Sequence, residues 1–71
     1  MGTARTQAKK LNWFRNRFDI AKQQGIDLEL NKTLAMFCID NNSTKRTAME
    51  LLRNFELLDE IKLHKESIQI L

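Results

Sequence analysis

One helix-length stretch limits this chain more than any other. Residues 43–55 read Ser-Thr-Lys-Arg-Thr-Ala-Met-Glu-Leu-Leu-Arg-Asn-Phe. Ala48, Leu51, Leu52 and Phe55 recur at helical spacing and draw one apolar stripe that must face a core. Ser43 or Thr44 supplies a hydroxyl that can cap the first amides. Adjacent Lys45 and Arg46 fall in the first turn, away from the stripe. A helix anchored along one side and cationic where it is free suits an approach to phosphate.

The flanking pattern supplies the rest of a small domain. A first helix runs from about Thr3 or Arg5 to Gln24, with Gly25 as its stop. Ala4, Ala8, Leu11, Phe14, Phe18 and Ala21 form its core stripe. Trp13 and Ile20 lie off that stripe, which reads either as a wide core face or as a helix-to-helix homodimer contact. Residues 26–30 alternate apolar and acidic, suiting a short strand or an extended entry into the next helix. Asn31, or alternatively Asp27, caps a second helix reaching about Asp40, with Leu34, Ala35, Phe37 and Cys38 facing inward. Small Ala35 and Ala48 on successive helices predict a close crossing.

Asp40-Asn41-Asn42 is a turn, because Asn and Asp tolerate left-handed backbone. The third helix ends near Leu57, and beyond it the apolar period changes. Ile61 and Leu63 alternate with Lys62 and His64, then Ile68 and Ile70 with Ser67 and Gln69. That alternation predicts a β-hairpin connected at about His64 to Ser67. A hairpin alone is marginal in water, so it must pack on the helices, with residues 26–30 available as a third strand.

Composition removes several function classes. With 71 residues, the chain is one domain with a thin core, and at 42% hydrophobic and 30% charged it is globular rather than disordered. No run is apolar enough to span a bilayer and no signal-peptide pattern opens the chain, so a cytoplasmic location is expected. The single cysteine, Cys38, cannot form an internal disulfide and has no Cys or His at ligand spacing, so it reads as a small buried apolar residue rather than a metal ligand. No nucleophile–base pair, carboxylate pair or Gly-rich phosphate loop can be assembled, and neither catalysis nor a cofactor is expected. Net charge is +3, unevenly spread: residues 1–25 carry six Lys and Arg against one Asp, and residues 26–71 carry six against eight acids. The basic first segment belongs near something anionic, and Arg5, Lys9, Arg15 and Lys22 would extend such a footprint along the first helix.

Thr44-Lys45-Arg46-Thr47-Ala48 followed by Leu51 and Leu52 resembles the S-x-R-T-A-x-x-x-L recognition-helix opening of winged helix-turn-helix DNA-binding domains of archaeal and bacterial type. Residues 55–61, Phe-Glu-Leu-Leu-Asp-Glu-Ile, are similar to that family's L-x-x-L-G-x-I exit into the wing. The resemblance covers about residues 26–71. It implies a mainly α fold with a small β-hairpin, in the order helix, short strand, helix, helix, hairpin. Residues 1–25 would be a basic first helix, 26–58 the helix-turn-helix and 59–71 the wing, in one domain. The turn between the second and third helices is about two residues longer than the family's. Asp59 stands where the family has Gly, so either a left-handed corner there costs about 1 kcal/mol or the corner differs. The wing is short, with Lys65 beside His64 at its tip.

The resemblance further implies double-stranded DNA binding through a recognition helix at about 44–55, by a transcriptional regulator or nucleoid-type protein. Thr44, Lys45, Arg46, Met49 and Arg53 would project toward DNA, with Lys65 on the wing. Arg46 is the residue suited to a bidentate contact with guanine, worth roughly 1–3 kcal/mol of discrimination. Lys45 and Arg53 suit phosphates. A homodimer on paired half-sites follows from the small size of one copy. The competing expectation is a winged helix that binds protein instead, favoured by the acidic balance of residues 26–71 and by Glu56, Asp59, Glu60 and Glu66 around the wing. Because Leu71 ends the sequence on a hairpin strand, the chain also reads as a possible DNA-binding piece of a longer protein.

Overall fold

A computed structural model describes residues 3–71, with side chains from residue 7 onward. Helix α1 spans Thr3–Gln24, strand β1 Leu28–Glu29, helix α2 Leu30–Asn41, helix α3 Lys45–Leu57, strand β2 Ile61–Leu63 and strand β3 Ser67–Ile70. The strands form an antiparallel sheet in the order β1-β3-β2, with Leu28 opposite Ile68 and Ile61 opposite Ile70. The fold is thus mainly α with a small sheet, a layout compatible with a winged helix. No helix among the described residues is long and apolar enough to cross a membrane.

Four phenylalanines tie the three helices together. Phe14 of α1 stacks on Phe37 of α2 at 4.6 Å between ring centroids, and Phe18 meets Phe55 of α3 edge-on at 5.1 Å. Leu34, Ala48, Leu51 and Leu52 fill the space between the helices, and Ile61 and Ile68 close the sheet side. The expected α3 stripe, Ala48, Leu51, Leu52 and Phe55, is buried throughout.

All three helices end alike. A left-handed residue follows each: Gly25 at φ 66° and Asn42 at φ 49° directly after α1 and α2, and Asp59 at φ 59° one residue further on, after Leu58. The next amide then reaches back to a carbonyl of the last turn: Ile26 to Ala21, Ser43 to Cys38 and Glu60 to Phe55. This motif satisfies carbonyls that a helix end leaves without partners.

Three expectations are corrected by the packing. Ala8 is exposed; the buried α1 stripe consists of Phe14, Phe18 and Ala21, with Leu11 partly buried against it. Ala35 is also exposed, and Thr33 is buried instead, so the close crossing of Ala35 and Ala48 is not made. Neither Asn31 nor Asp27 caps α2: its N-cap is Glu29, whose side chain makes no capping bond. The chain passes directly from β1 into α2, and the Leu30 amide is satisfied by the Glu66 carbonyl at 3.0 Å. The sheet partner therefore does the work of a side-chain cap. The expected stripe residue Ala4 has a side chain outside the described set.

Candidate nucleic-acid interface

The chemistry of α3 begins at its cap. Thr44 holds extended backbone, and its hydroxyl accepts from the Thr47 amide at 3.3 Å, settling the choice between Ser43 and Thr44. Because the core stripe is buried, helical periodicity turns Arg46, Glu50, Arg53 and Leu57 to the opposite side. Lys45, Arg46 and Arg53 are all exposed. The Arg46 side chain is 91% exposed, with Nε 3.6 Å from Glu50 Oε1 one turn on. An exposed pair at that distance is worth at most a few tenths of a kcal/mol, so the guanidinium is free to be taken by a stronger anion.

The other site residues expected from sequence fall differently. Met49 does not project: it is partly buried and packs against the core. Lys65 is exposed in the turn between β2 and β3, beside His64, whose Nε2 lies 2.9 Å from Gln69 Oε1. Leu57, which carried no expected role, is 81% exposed on the outward side of α3, and Leu58 is 63% exposed beside it.

On α1 the cations divide into engaged and free. Arg15 donates to both carboxylate oxygens of Glu60, at 2.9 and 3.3 Å, with its guanidinium carbon 5.1 Å from the centre of the Phe55 ring. Arg17 lies over the Trp13 ring at 4.7 Å and 4.0 Å from Asp40. Arg15 therefore ties α1 to the corner after α3, whereas Arg17 makes only a long, exposed contact with Asp40. Lys9 and Lys22 are exposed. The Arg5 side chain lies outside the described residues.

Trp13 turns inward from the line it was expected to share with Ile20. Its ring meets Phe14 and Phe37 edge-on, and its Nε1 donates to Asp40 Oδ2 at 2.9 Å. The wide-core reading of Trp13 thus holds, whereas Ile20 remains 52% exposed. Sequence reasoning did not anticipate the cleft of about 280 Å³ between α1, β1 and α2, lined by Trp13, Arg17, Ile26, Leu28, Thr33 and Met36. It also missed Glu56, whose carboxylate reaches across from α3 to accept the Leu63 amide of β2 at 2.8 Å. An acidic residue off the apolar stripe carries no periodic signal that would mark such a bond.

Among the described residues, no three His, Cys, Asp or Glu side chains gather closely enough to hold a metal ion. Cys38 is a free, partly buried thiol packed against the core. Comparison of the chain with models of protein families, with curated proteins and with solved structures gave no match.

Proposed function

We propose that this chain binds double-stranded DNA, with α3 entering the major groove and the β2–β3 hairpin resting on the flanking backbone, as a transcriptional regulator or nucleoid-type protein of the cytoplasm. One observation carries the reading: Arg46 and Arg53 stand exposed on α3 opposite a side wholly committed to the core, with Lys45 exposed in the first turn. Such a helix can meet a polyanion without rearranging the fold. Arg46 is the base-reading residue, and Lys45, Arg53 and Lys65 are phosphate contacts. Thr44, already bound to the Thr47 amide, positions the start of the helix, and Met49 supports it from below. Two copies on paired half-sites would supply the affinity that one copy lacks, with exposed Ile20 rather than partly buried Trp13 at their contact.

Fluorescence anisotropy against duplex DNA at two salt concentrations tests this reading. Binding that weakens steeply with salt is expected, and no binding at low salt rejects it.

A second reading, a winged helix that binds protein, is favoured by Leu57. A leucine exposed on the same side of α3 as Arg46 and Arg53 is suited to an apolar partner. Paired Lys45→Ala and Arg46→Ala substitutions separate the two. Loss of duplex binding with an unchanged fold supports the first reading, and unchanged duplex binding supports the second.

A further inference from the structure

We infer that Glu56 is a positioning residue for the wing: its carboxylate fixes the β2–β3 hairpin, and hence Lys65, relative to α3. The inference rests on the duplex-binding reading above and adds a residue to it. Among the described residues, strand β2 lies at the edge of the sheet, with β3 as its only strand neighbour. The His64 amide bonds to the Ser67 carbonyl and the Leu71 amide to the Glu60 carbonyl. Antiparallel alternation therefore turns the intervening Leu63 amide away from β3, onto the free edge. Glu56 Oε2 takes that amide at 2.8 Å. The bond is part-buried and links α3 to the last residue of β2, directly before the turn that carries Lys65.

The charge of Glu56 makes the role testable by sign. Glu56 lies on α3 one turn beyond Arg53, and a carboxylate near DNA opposes phosphate. If electrostatics alone mattered, any neutral replacement would tighten duplex binding. A positioning role predicts otherwise. Glu56→Gln keeps an oxygen able to accept the Leu63 amide and removes the charge, so it binds as tightly as the unmodified chain or tighter. Glu56→Ala removes the same charge together with the bond, and binds more weakly.

The decisive experiment is a titration series on the full chain. The logarithm of the duplex association constant is measured against the logarithm of salt concentration for the unmodified chain, Glu56→Gln, Glu56→Ala, Lys65→Ala and the Glu56→Ala/Lys65→Ala double variant. Losing one phosphate contact lowers the slope by about 0.9. Glu56→Ala and Lys65→Ala should each show about that loss, the double variant about the same and not twice it, and Glu56→Gln none. Hydrogen exchange of the Leu63 amide, which needs no DNA, should be slow in the unmodified chain and in Glu56→Gln, and fast in Glu56→Ala.

Tighter binding by Glu56→Ala, or additive slopes in the double variant, overturns the role of Glu56 while leaving duplex binding intact. Rapid exchange of Leu63 in the unmodified chain overturns it as well, even should Glu56→Ala fail to fold. Absence of salt-sensitive binding by the unmodified chain instead removes the duplex-binding reading on which the role depends.

Discussion

At the scale of single residues, the three helix ends provide a graded test of backbone strain. Gly25, Asn42 and Asp59 occupy left-handed positions after α1, α2 and α3. Glycine reaches that region without a Cβ clash, asparagine and aspartate at some cost, and other residues at more. Glycine was the residue expected from sequence at the corner that Asp59 occupies, and the left-handed corner forms there nonetheless. Asp59→Gly is therefore expected to stabilise the fold by up to about 1 kcal/mol, less the extra entropy that glycine gives the unfolded chain. Asn42→Gly should gain less, because an asparagine amide is among the better-tolerated side chains in this conformation. Urea unfolding of both variants measures the difference, and an Asp59→Gly midpoint below that of the unmodified chain would contradict the strain argument. At the other end of α3, Thr44→Ala removes the acceptor for the Thr47 amide. It should cost about 1 kcal/mol in the same assay.

At the scale of elements, helical and alternating periods made the order of α1, α2, α3 and the hairpin legible, and residues 26–30 did supply a third strand. A period identifies which side of an element is apolar, but not how far its neighbour extends along it. Ala8 illustrates this: it belongs to the α1 stripe by spacing, yet it is exposed. Ala35 shows a related limit, since a short, broadly apolar helix can be rotated by one position without breaking its pattern, and the buried Phe37 ring, stacked on Phe14, sets the choice. The polar ties were the least legible part. Trp13 with Asp40, Arg15 with Glu60 and Glu56 with Leu63 join residues distant in sequence or off any stripe.

Of these ties, the Arg15 contact is the one that orients α1 on the corner between α3 and β2. It is exposed to solvent, so its ion pair contributes only about 0.2–1 kcal/mol. The guanidinium also covers the Phe55 ring, a contact that a lysine would not reproduce in the same plane. Arg15→Lys should therefore lower stability measurably by chemical denaturation, although charge is retained. Equal stability of the two chains would show that the planar contacts add nothing.

At the scale of the whole molecule, the division of charge acquires a spatial meaning. The sequence placed a cationic excess in residues 1–25, yet Arg15 of that segment is engaged with Glu60 and the Phe55 ring. One cation of that excess is therefore engaged by the fold, while Lys9 and Lys22 on α1 and Lys45, Arg46 and Arg53 on α3 remain exposed. This ranks the variants. Lys9→Ala or Lys22→Ala removes an exposed charge from α1, whereas Arg46→Ala removes one from the outward side of α3. If α3 enters the groove, Arg46→Ala should weaken binding to a selected duplex by about 1–3 kcal/mol and relax preference at one base position. Each α1 substitution should instead weaken all duplexes alike, by no more than one phosphate contact, with a slope change of about 0.9 or less. Selection of bound duplexes from a random pool, followed by salt titration of the variants, separates these outcomes. Equal, sequence-independent losses at Lys9, Lys22 and Arg46 would show that the molecule meets DNA through its overall basic charge, with α3 holding no privileged place.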